Sequence, residues 1–179
     1  DWSNVVTNED AIHQEYSLSA RGGNEETTFY VSGNFFDQEG AQIGSELERY
    51  SGKLNISHKL DDRVTLDNSF TGSFVEQDGI LEGAGYFGSP VLAEFFMPPT
   101  GPAFNEDGTP NTGAIGANIF QPGGTNIFNP VYVQNNDIDR KRNTRVLNNT
   151  NLNIQIMENL SFNTNFALDY ILTEEKYYD

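Results

Sequence analysis

Hydrophobic and polar residues alternate along most of this chain with a repeat of two positions. Such a repeat is typical of β-strands that have one apolar face and one polar face, and a convincing helical repeat is hard to find. The alternation predicts six strands, over residues 12–21, 27–37, 47–60, 64–76, 144–156 and 160–172. The sequence therefore predicts an all-β fold.

The predicted strands are joined by connections of two kinds. Short turns near residues 22–26, 61–63 and 157–159 alternate with longer connections near 38–46 and 77–143. Strands joined by tight turns pair antiparallel, and short turns at one end with long loops at the other are typical of outer-membrane β-barrels. A tilted barrel strand crosses the bilayer in about 9–11 residues, which the predicted strands satisfy. A soluble β-sandwich has the same alternation and is the competing interpretation.

Composition and charge exclude several classes of protein. The chain has 26 acidic and 10 basic residues and a net charge of -16, so a nucleic-acid partner is not expected. It has no cysteine, which excludes disulfides and thiolate metal sites. No stretch approaches the roughly 18 apolar residues of a transmembrane helix. The first ten residues also do not have the basic and apolar regions of a signal peptide.

The sequence offers little support for catalysis. His13 and His58 both fall inside predicted strands, so we expect them to pack rather than react. No serine has an identifiable base partner, as a nucleophile would need. Residues 105–108 and 135–139 are rich in Asn and Asp, but they lack the ligand spacing of a calcium loop and predict turns instead. We therefore predict a protein that is not an enzyme, with no catalytic residue, metal ligand or cofactor.

Four of the ten basic residues lie close together near the start of the fifth predicted strand, at Arg140, Lys141, Arg142 and Arg145. We expect these side chains to pair with nearby acids. In an outer membrane, the phosphates of lipopolysaccharide are the alternative partners.

The long connection over 77–143 contains most of the candidate binding residues. Its aromatic side chains would stack on a ligand or partner, or would pack the loop against the barrel rim. The candidates are Phe95, Phe96, Phe104, Phe120 and Tyr132.

Two regions of the chain resemble a known family. Residues 16–40, YSLSARGGNEETTFYVSGNFFDQEG, and residues 49–60, RYSGKLNISHKL, are similar to the barrel region of SusC/RagA-type TonB-dependent outer-membrane receptors. Residues 129–170 resemble the same family through Asn129-Pro130, Arg145 and a strand that ends in Asp169-Tyr170. The order and spacing of these motifs are more specific than any one of them.

The resemblance implies that this chain is about six strands of a larger transmembrane β-barrel with one long extracellular loop. It implies an importer of oligosaccharides or peptides in the outer membrane of a Gram-negative bacterium. The family's partners are a SusD-type surface lipoprotein and TonB, which would act through parts of the receptor absent from this sequence. A secreted, soluble all-β carbohydrate-binding module is the alternative, and the substrate itself is not readable from these residues.

Overall fold

The computed structural model describes residues 2–79, 92, 95–97, 101–111, 119–120, 127–136 and 138–178. In chain order its elements are α1 (Ser3–Val6), β1 (His13–Gly23), β2 (Thr27–Glu39), β3 (Glu46–Asp61), β4 (Val64–Gly79), β5 (Ile119–Phe120), β6 (Ile127–Phe128), α2 (Pro130–Asn136), β7 (Ile138–Met157) and β8 (Leu160–Tyr178). No helix among these residues is long and apolar enough to span a membrane.

The six long strands form one antiparallel sheet in the order β1-β2-β3-β4-β7-β8. The two short strands, β5 and β6, pair only with each other. The described part of the sheet is open, with β1 and β8 at its edges. The predicted fold class, an antiparallel β-barrel segment, is confirmed by this architecture and by the structural neighbours described below.

The strands and helices differ in detail from the sequence prediction. β7 begins at Ile138, inside the segment predicted as loop 77–143. The first residues of β7 are charged on both faces and have no apolar alternation, so local sequence did not reveal the strand. The helices α1 and α2 contain only four and seven residues, too few to show a helical repeat.

The strand register separates apolar from polar side chains. Directly paired residues project to the same face of a sheet. Val31 lies opposite Leu54, and Leu54 lies opposite Phe70. The apolar face defined in this way includes Tyr16, Leu18, Ala20, Phe29, Val31, Phe35, Tyr50, Leu54, Ile56, Leu66, Phe70, Phe74, Leu152, Ile154, Phe162, Phe166, Leu168 and Tyr170.

The opposite face of the sheet, the polar face, carries mainly hydroxyl, amide and charged groups. Its members include Ser17, Ser19, Arg21, Ser32, Asn34, Arg49, Ser51, Lys53, Asn55, Ser57, Asp67, Ser69, Thr71, Ser73, Asn149, Asn151, Asn153, Asn163 and Asn165. The sheet therefore has two chemically distinct sides along its whole width.

Tight turns join the strands at one end of the sheet, which we call the turn end. Asn24 Oδ1 accepts hydrogen bonds from the backbone N–H groups of Glu26 and Thr27, at 3.0 and 2.7 Å. Asp61 Oδ1 accepts one from the N–H of Arg63 at 2.7 Å. Asn and Asp favour turns because their side chains can bond to the backbone two residues further on. The opposite end, from which the longer connections leave, is the loop end.

Gly23 lies just before the first tight turn, in a conformation and a space that favour glycine. Its φ is +153°, and an added Cβ would collide with the Thr27 carbonyl oxygen and lie 2.7 Å from Thr28 Cα. We expect Gly23→Ala to destabilise the folded protein by about 1–3 kcal/mol, because the backbone must move. Gly33→Ala is the matched control, since a Cβ there meets nothing within 4 Å. Thermal unfolding of both variants checks the prediction, and equal melting temperatures would contradict it.

The well-buried side chains of the described residues lie outside the sheet. They are Trp2, Val6, Met97, Asn129, Pro130, Val131 and Val133. These residues come from the N-terminal segment and from the long connection between β4 and β7. A small core therefore sits at the loop end, while large apolar side chains on the sheet remain exposed, such as Leu18 at 81% and Phe166 at 66%.

Candidate functional site

The polar face forms a shallow concave surface near the turn end of the sheet. Its side chains bond to one another across strands: Ser69 donates to Asn55 at 2.9 Å, and Asn165 donates to Asn149 at 2.7 Å. A cavity of about 630 Å³ opens here, and most of its lining residues belong to the polar face. Those residues are Arg21, Thr28, Tyr30, Asn55, Ser57, Asp67, Ser69, Asn149 and Asn151. Such a surface can hydrogen-bond a hydroxyl-rich or amide-rich ligand.

The basic cluster of β7 is fully paired, as the sequence predicted. Arg140 donates two hydrogen bonds to Asp78, each at 2.6 Å, in the forked geometry that suits a carboxylate. This contact raises the pKa of Arg140. The remaining pairs are Arg140–Glu76, Arg142–Glu76, Lys141–Glu175 and Arg145–Asp169. The prediction of ion pairing is confirmed, and these pairs tie β7 to both of its neighbours.

An acidic cluster lies beside those pairs at the loop end of β2 and β3. Carboxylate oxygens of Asp37, Glu46 and Glu48 all lie within 4.8 Å of one another. Asp37 Oδ1 is shielded from solvent and has no hydrogen-bond partner among the described residues. Partial burial and the surrounding acids raise the pKa of Glu46, which lies beyond the apolar part of β3. Three carboxylates are fewer than the roughly six to eight oxygens that Ca²⁺ takes, so water or other groups would have to complete any cation site.

Three segments at the loop end pack into one unit, which we call the loop cluster. It combines the N-terminal segment 2–8, the β2–β3 connection 40–45 and residues 95–97, 101–111 and 129–136 of the long connection. Trp2 packs on Met97, with side chains 5% and 4% exposed. The backbone N–H of Ile43 donates to the Val6 carbonyl at 3.0 Å. Described residues of the long connection therefore pack on the N-terminal segment and lie close to the β2–β3 connection.

Asn129 holds the loop cluster together from its centre. Its side chain is fully buried, and its Nδ2 donates to the carbonyls of Ala103 and Asn111 at 2.8 and 2.9 Å. Its Oδ1 accepts from the N–H of Val131 at 3.0 Å, at the start of α2. One side chain thus caps a helix and clamps a loop, a role that its place in the Asn-Pro motif did not disclose.

The aromatic candidates occupy different positions in the long connection. Phe95 is 73% exposed, Phe96 is 55% exposed, and Phe104 is 43% exposed in an isolated β-bridge with Pro110. Tyr132 is half-buried in α2. Phe120 lies in β5, paired with Ile127, and its side chain falls outside the described part of the chain. Phe95 and Phe96 are adjacent in sequence, and both residues are exposed.

The two histidines and the first of the two Asn- and Asp-rich stretches make structural contacts. His13 packs edge-on against Phe36 with ring centroids 4.8 Å apart, and His58 Nδ1 lies 2.7 Å from Thr27 Oγ1. Asp107 accepts hydrogen bonds from the hydroxyl and N–H of Thr109, at 2.6 and 3.0 Å, and these lower the pKa of Asp107. The stretch 105–108 is therefore a turn, as predicted. Asp137, in the second Asn- and Asp-rich stretch, lies outside the described residues.

A polar trio on the apolar face was not anticipated from the sequence. Asn68 donates to Thr150 at 2.7 Å, and Thr150 donates to Asn148 at 3.1 Å. Buried or membrane-facing polar groups are costly unless they are hydrogen-bonded. The partners are about 80 residues apart in sequence, so only the register of β4 with β7 brings them together.

No protein-family model matches the chain. The chain is 26% identical over 172 residues to TonB-dependent receptor P3 of Formosa agariphila. This aligned region covers 93% of the chain and 16% of that receptor. The chain is also 34% identical over 85 residues to TonB-dependent receptor P39 of the same organism, covering 45% of this chain and 8% of that receptor. The chain is similar in sequence to TonB-dependent receptors.

Solved structures show the same fold. The RagAB peptide importer in the closed-closed state matches 97% of this chain and 19% of its own, with a TM-score of 0.74 and 21% identity. Its open-open state gives a TM-score of 0.75 over the same shares. The chain spans less than a fifth of the TonB-dependent receptors and importers it matches. These matches confirm the resemblance to a receptor barrel, and the named relatives are receptors and importers rather than enzymes.

Proposed function

We propose that this chain forms part of the barrel wall of a TonB-dependent receptor in the outer membrane of a Gram-negative bacterium. The receptor would import bulky nutrients, either oligosaccharides or peptides. The single observation that carries the proposal is the exposed apolar face, which runs across all six long strands. Such a face needs a nonpolar environment, and lipid supplies one.

The height of the apolar face fits a bilayer. Along β4 it extends from Val64 to Phe74, a separation of ten residue steps. At roughly 3.3 Å per residue this is about 33 Å, and a strand tilt of about 40° reduces it to about 25 Å. That value matches the height of the lipid-facing band in outer-membrane barrels, about 25 Å. Most charged side chains on the same face lie above this band, at the loop end.

The exposed face distinguishes the proposal from a soluble carbohydrate-binding sandwich. A sandwich would cover one face with a second sheet about 10 Å away. Within the described ranges, the only other sheet is the two-stranded β5–β6 pair. The buried side chains lie in the loop cluster instead. The observations therefore favour the barrel wall.

The loop end would face the cell exterior and meet partners. We propose that a SusD-type surface lipoprotein or the imported ligand contacts aromatic side chains of the long connection. The candidate contacts are Phe95, Phe96, Phe104, Phe120 and Tyr132. The guanidinium groups of Arg140 and Arg142 project from the apolar face at the same level and are the candidate contacts for the phosphates of lipopolysaccharide. TonB would act on parts of the receptor absent from this sequence. The peptide importer among the structural neighbours supports peptides as one cargo class.

Uptake by whole cells tests this function. Cells that express the intact receptor should accumulate fluorescently labelled oligosaccharides or peptides, and deleting TonB should abolish the accumulation. Deleting the partner lipoprotein should lower it. Phe95→Ala with Phe104→Ala should lower uptake without changing the amount of assembled receptor. Accumulation that is unaffected by loss of TonB would contradict the proposal.

A further inference from the structure

Four basic side chains on the polar face form no ion pair among the described residues. They are Arg21 on β1 and Arg49, Lys53 and Lys59 on β3, and all four are exposed. The four basic residues of β7, by contrast, are all paired with acids. Unpaired positive charge is therefore concentrated on one face of a chain whose net charge is -16.

Within the strand pairs, no acid of the polar face lies directly opposite these cations; just beyond the last pair of β2 with β3, the backbone N–H of Lys59 donates to the Glu26 carbonyl at 2.8 Å. Outside the ion pairs, the face carries Glu15, Asp67 and Asp139. Glu15 lies opposite Phe36, Asp67 opposite Ser57, and Asp139 opposite Gly79. Glu15 is already engaged as the acceptor of a hydrogen bond from Asn34 at 2.9 Å. The cations of β3 thus keep their charge available to an external partner.

Arg49, Lys53 and Lys59 form a line along one strand, which we call the basic track. All three occupy odd positions of β3 and so project from the same face. From Arg49 to Lys59 is ten residues, or about 33 Å at roughly 3.3 Å per residue. The track therefore runs from the loop end to the turn end, in the direction that an imported molecule would travel.

The neighbours of the track suit a carbohydrate. Lys53 lies between Ser32 and Thr71, whose hydroxyls can bond to sugar hydroxyls. The guanidinium of Arg49 lies 4.9 Å from the centre of the Phe36 ring. Further down, Tyr30 lies beside Asn55 in the lining of the concave cavity. Aromatic surface combined with a few placed polar groups is the usual make-up of a small-ligand site.

We propose that the basic track binds an acidic oligosaccharide, one that carries carboxylate or sulfate groups, as it passes along the polar face. The inference rests on the proposed function, because it takes this face to line the lumen of the receptor. Lysine and arginine rings give anion selectivity in pores, and lumen substitutions tune the selectivity of outer-membrane barrels. The positive charge of the track attracts the negative groups of an anionic cargo and so favours it over a neutral one.

The triple variant Arg49→Gln, Lys53→Gln, Lys59→Gln in the intact, detergent-purified receptor tests the inference. The probes are tetragalacturonate, a sulfated carrageenan tetrasaccharide and neutral galactotetraose, with binding measured by calorimetry. We expect at least one anionic probe to bind the unmodified receptor about tenfold more tightly than the neutral probe. The triple variant should weaken that binding about tenfold, and high salt should reduce the difference. The control variant, Arg63→Gln with Lys176→Gln, removes charges from a turn and from the other face and should leave the affinity unchanged.

Two outcomes would overturn the inference. One is that no anionic probe binds the unmodified receptor more tightly than galactotetraose does. The other is that the triple variant melts at a lower temperature with unchanged probe affinity, which would mean that the track contacts polypeptide inside the barrel. Heat-modifiable electrophoretic mobility of the same preparations reports barrel assembly. An unmodified receptor that forms no barrel would contradict the proposed function instead.

Discussion

Val31→Arg is expected to destabilise the membrane-inserted receptor by about 2–4 kcal/mol. Val31 lies in the central row of the apolar face, opposite Ala20 and Leu54, and is 42% exposed. In the proposed barrel its side chain contacts the middle of the bilayer, where a guanidinium is most costly. Denaturant unfolding of the receptor in lipid vesicles measures the change.

Thr28→Arg is the control for that substitution. Thr28 lies on the same strand, projects from the polar face and is exposed. An arginine there would meet water in the lumen, so we expect a change within about 0.5 kcal/mol. Equal destabilisation by the two arginines would contradict the assignment of the apolar face to lipid.

Asn129→Asp is expected to loosen the loop cluster while leaving the sheet intact. The aspartate can still accept the hydrogen bond from Val131, so the cap of α2 survives. It cannot donate to the carbonyls of Ala103 and Asn111, and it places a charge at a site with no exposed surface. Removing one partner from a buried polar contact and leaving a charge uncompensated costs about 3–5 kcal/mol.

Limited proteolysis with mass spectrometry checks the effect of Asn129→Asp. New cleavage within residues 101–111 is expected, with unchanged heat-modifiable mobility of the barrel. Asn135→Asp is the matched control, since Asn135 is exposed on the same helix. Protection of 101–111 in the Asn129 variant equal to that in the control would show that the clamp is not formed.

The sheet was predictable because its information is local. In a strand with one apolar and one polar face, apolar and polar residues alternate along the sequence, as they do in β3 from Tyr50 to Lys59. Tight turns such as Asp61–Arg63 carry their own signal in Asp and in a hydrogen bond that closes within two residues. These features fixed the faces and the antiparallel pairing.

Features that depend on pairing between distant residues were not predictable. The start of β7 has no alternation, and its residues pair with Asp78 and Glu76 on β4, more than 60 residues earlier in the chain. The trio of Asn68, Asn148 and Thr150 exists only because β4 and β7 pair in one register.

In the candidate site, too, some features follow from local sequence and others depend on contacts between distant residues. The alternation places Lys53 on a polar face, but only the register shows that Ser32 and Thr71, rather than acids, lie opposite it. Likewise Asn129 is visible in the sequence as part of a motif, yet its two carbonyl partners lie 18 and 26 residues away. In a single sequence, the residues next to Asn129 do not indicate which distant residues it contacts.

The most direct test of the account measures what the apolar face touches. Spin labels are attached singly at Leu66 and Phe162 in the reconstituted receptor, and at their neighbours Thr65 and Asn163 on the polar face. We predict that a lipid-soluble relaxation agent reaches the labels at Leu66 and Phe162 far more readily than those at Thr65 and Asn163. If the lipid-soluble agent fails to reach either Leu66 or Phe162, the face does not meet the bilayer and the barrel-wall account is wrong.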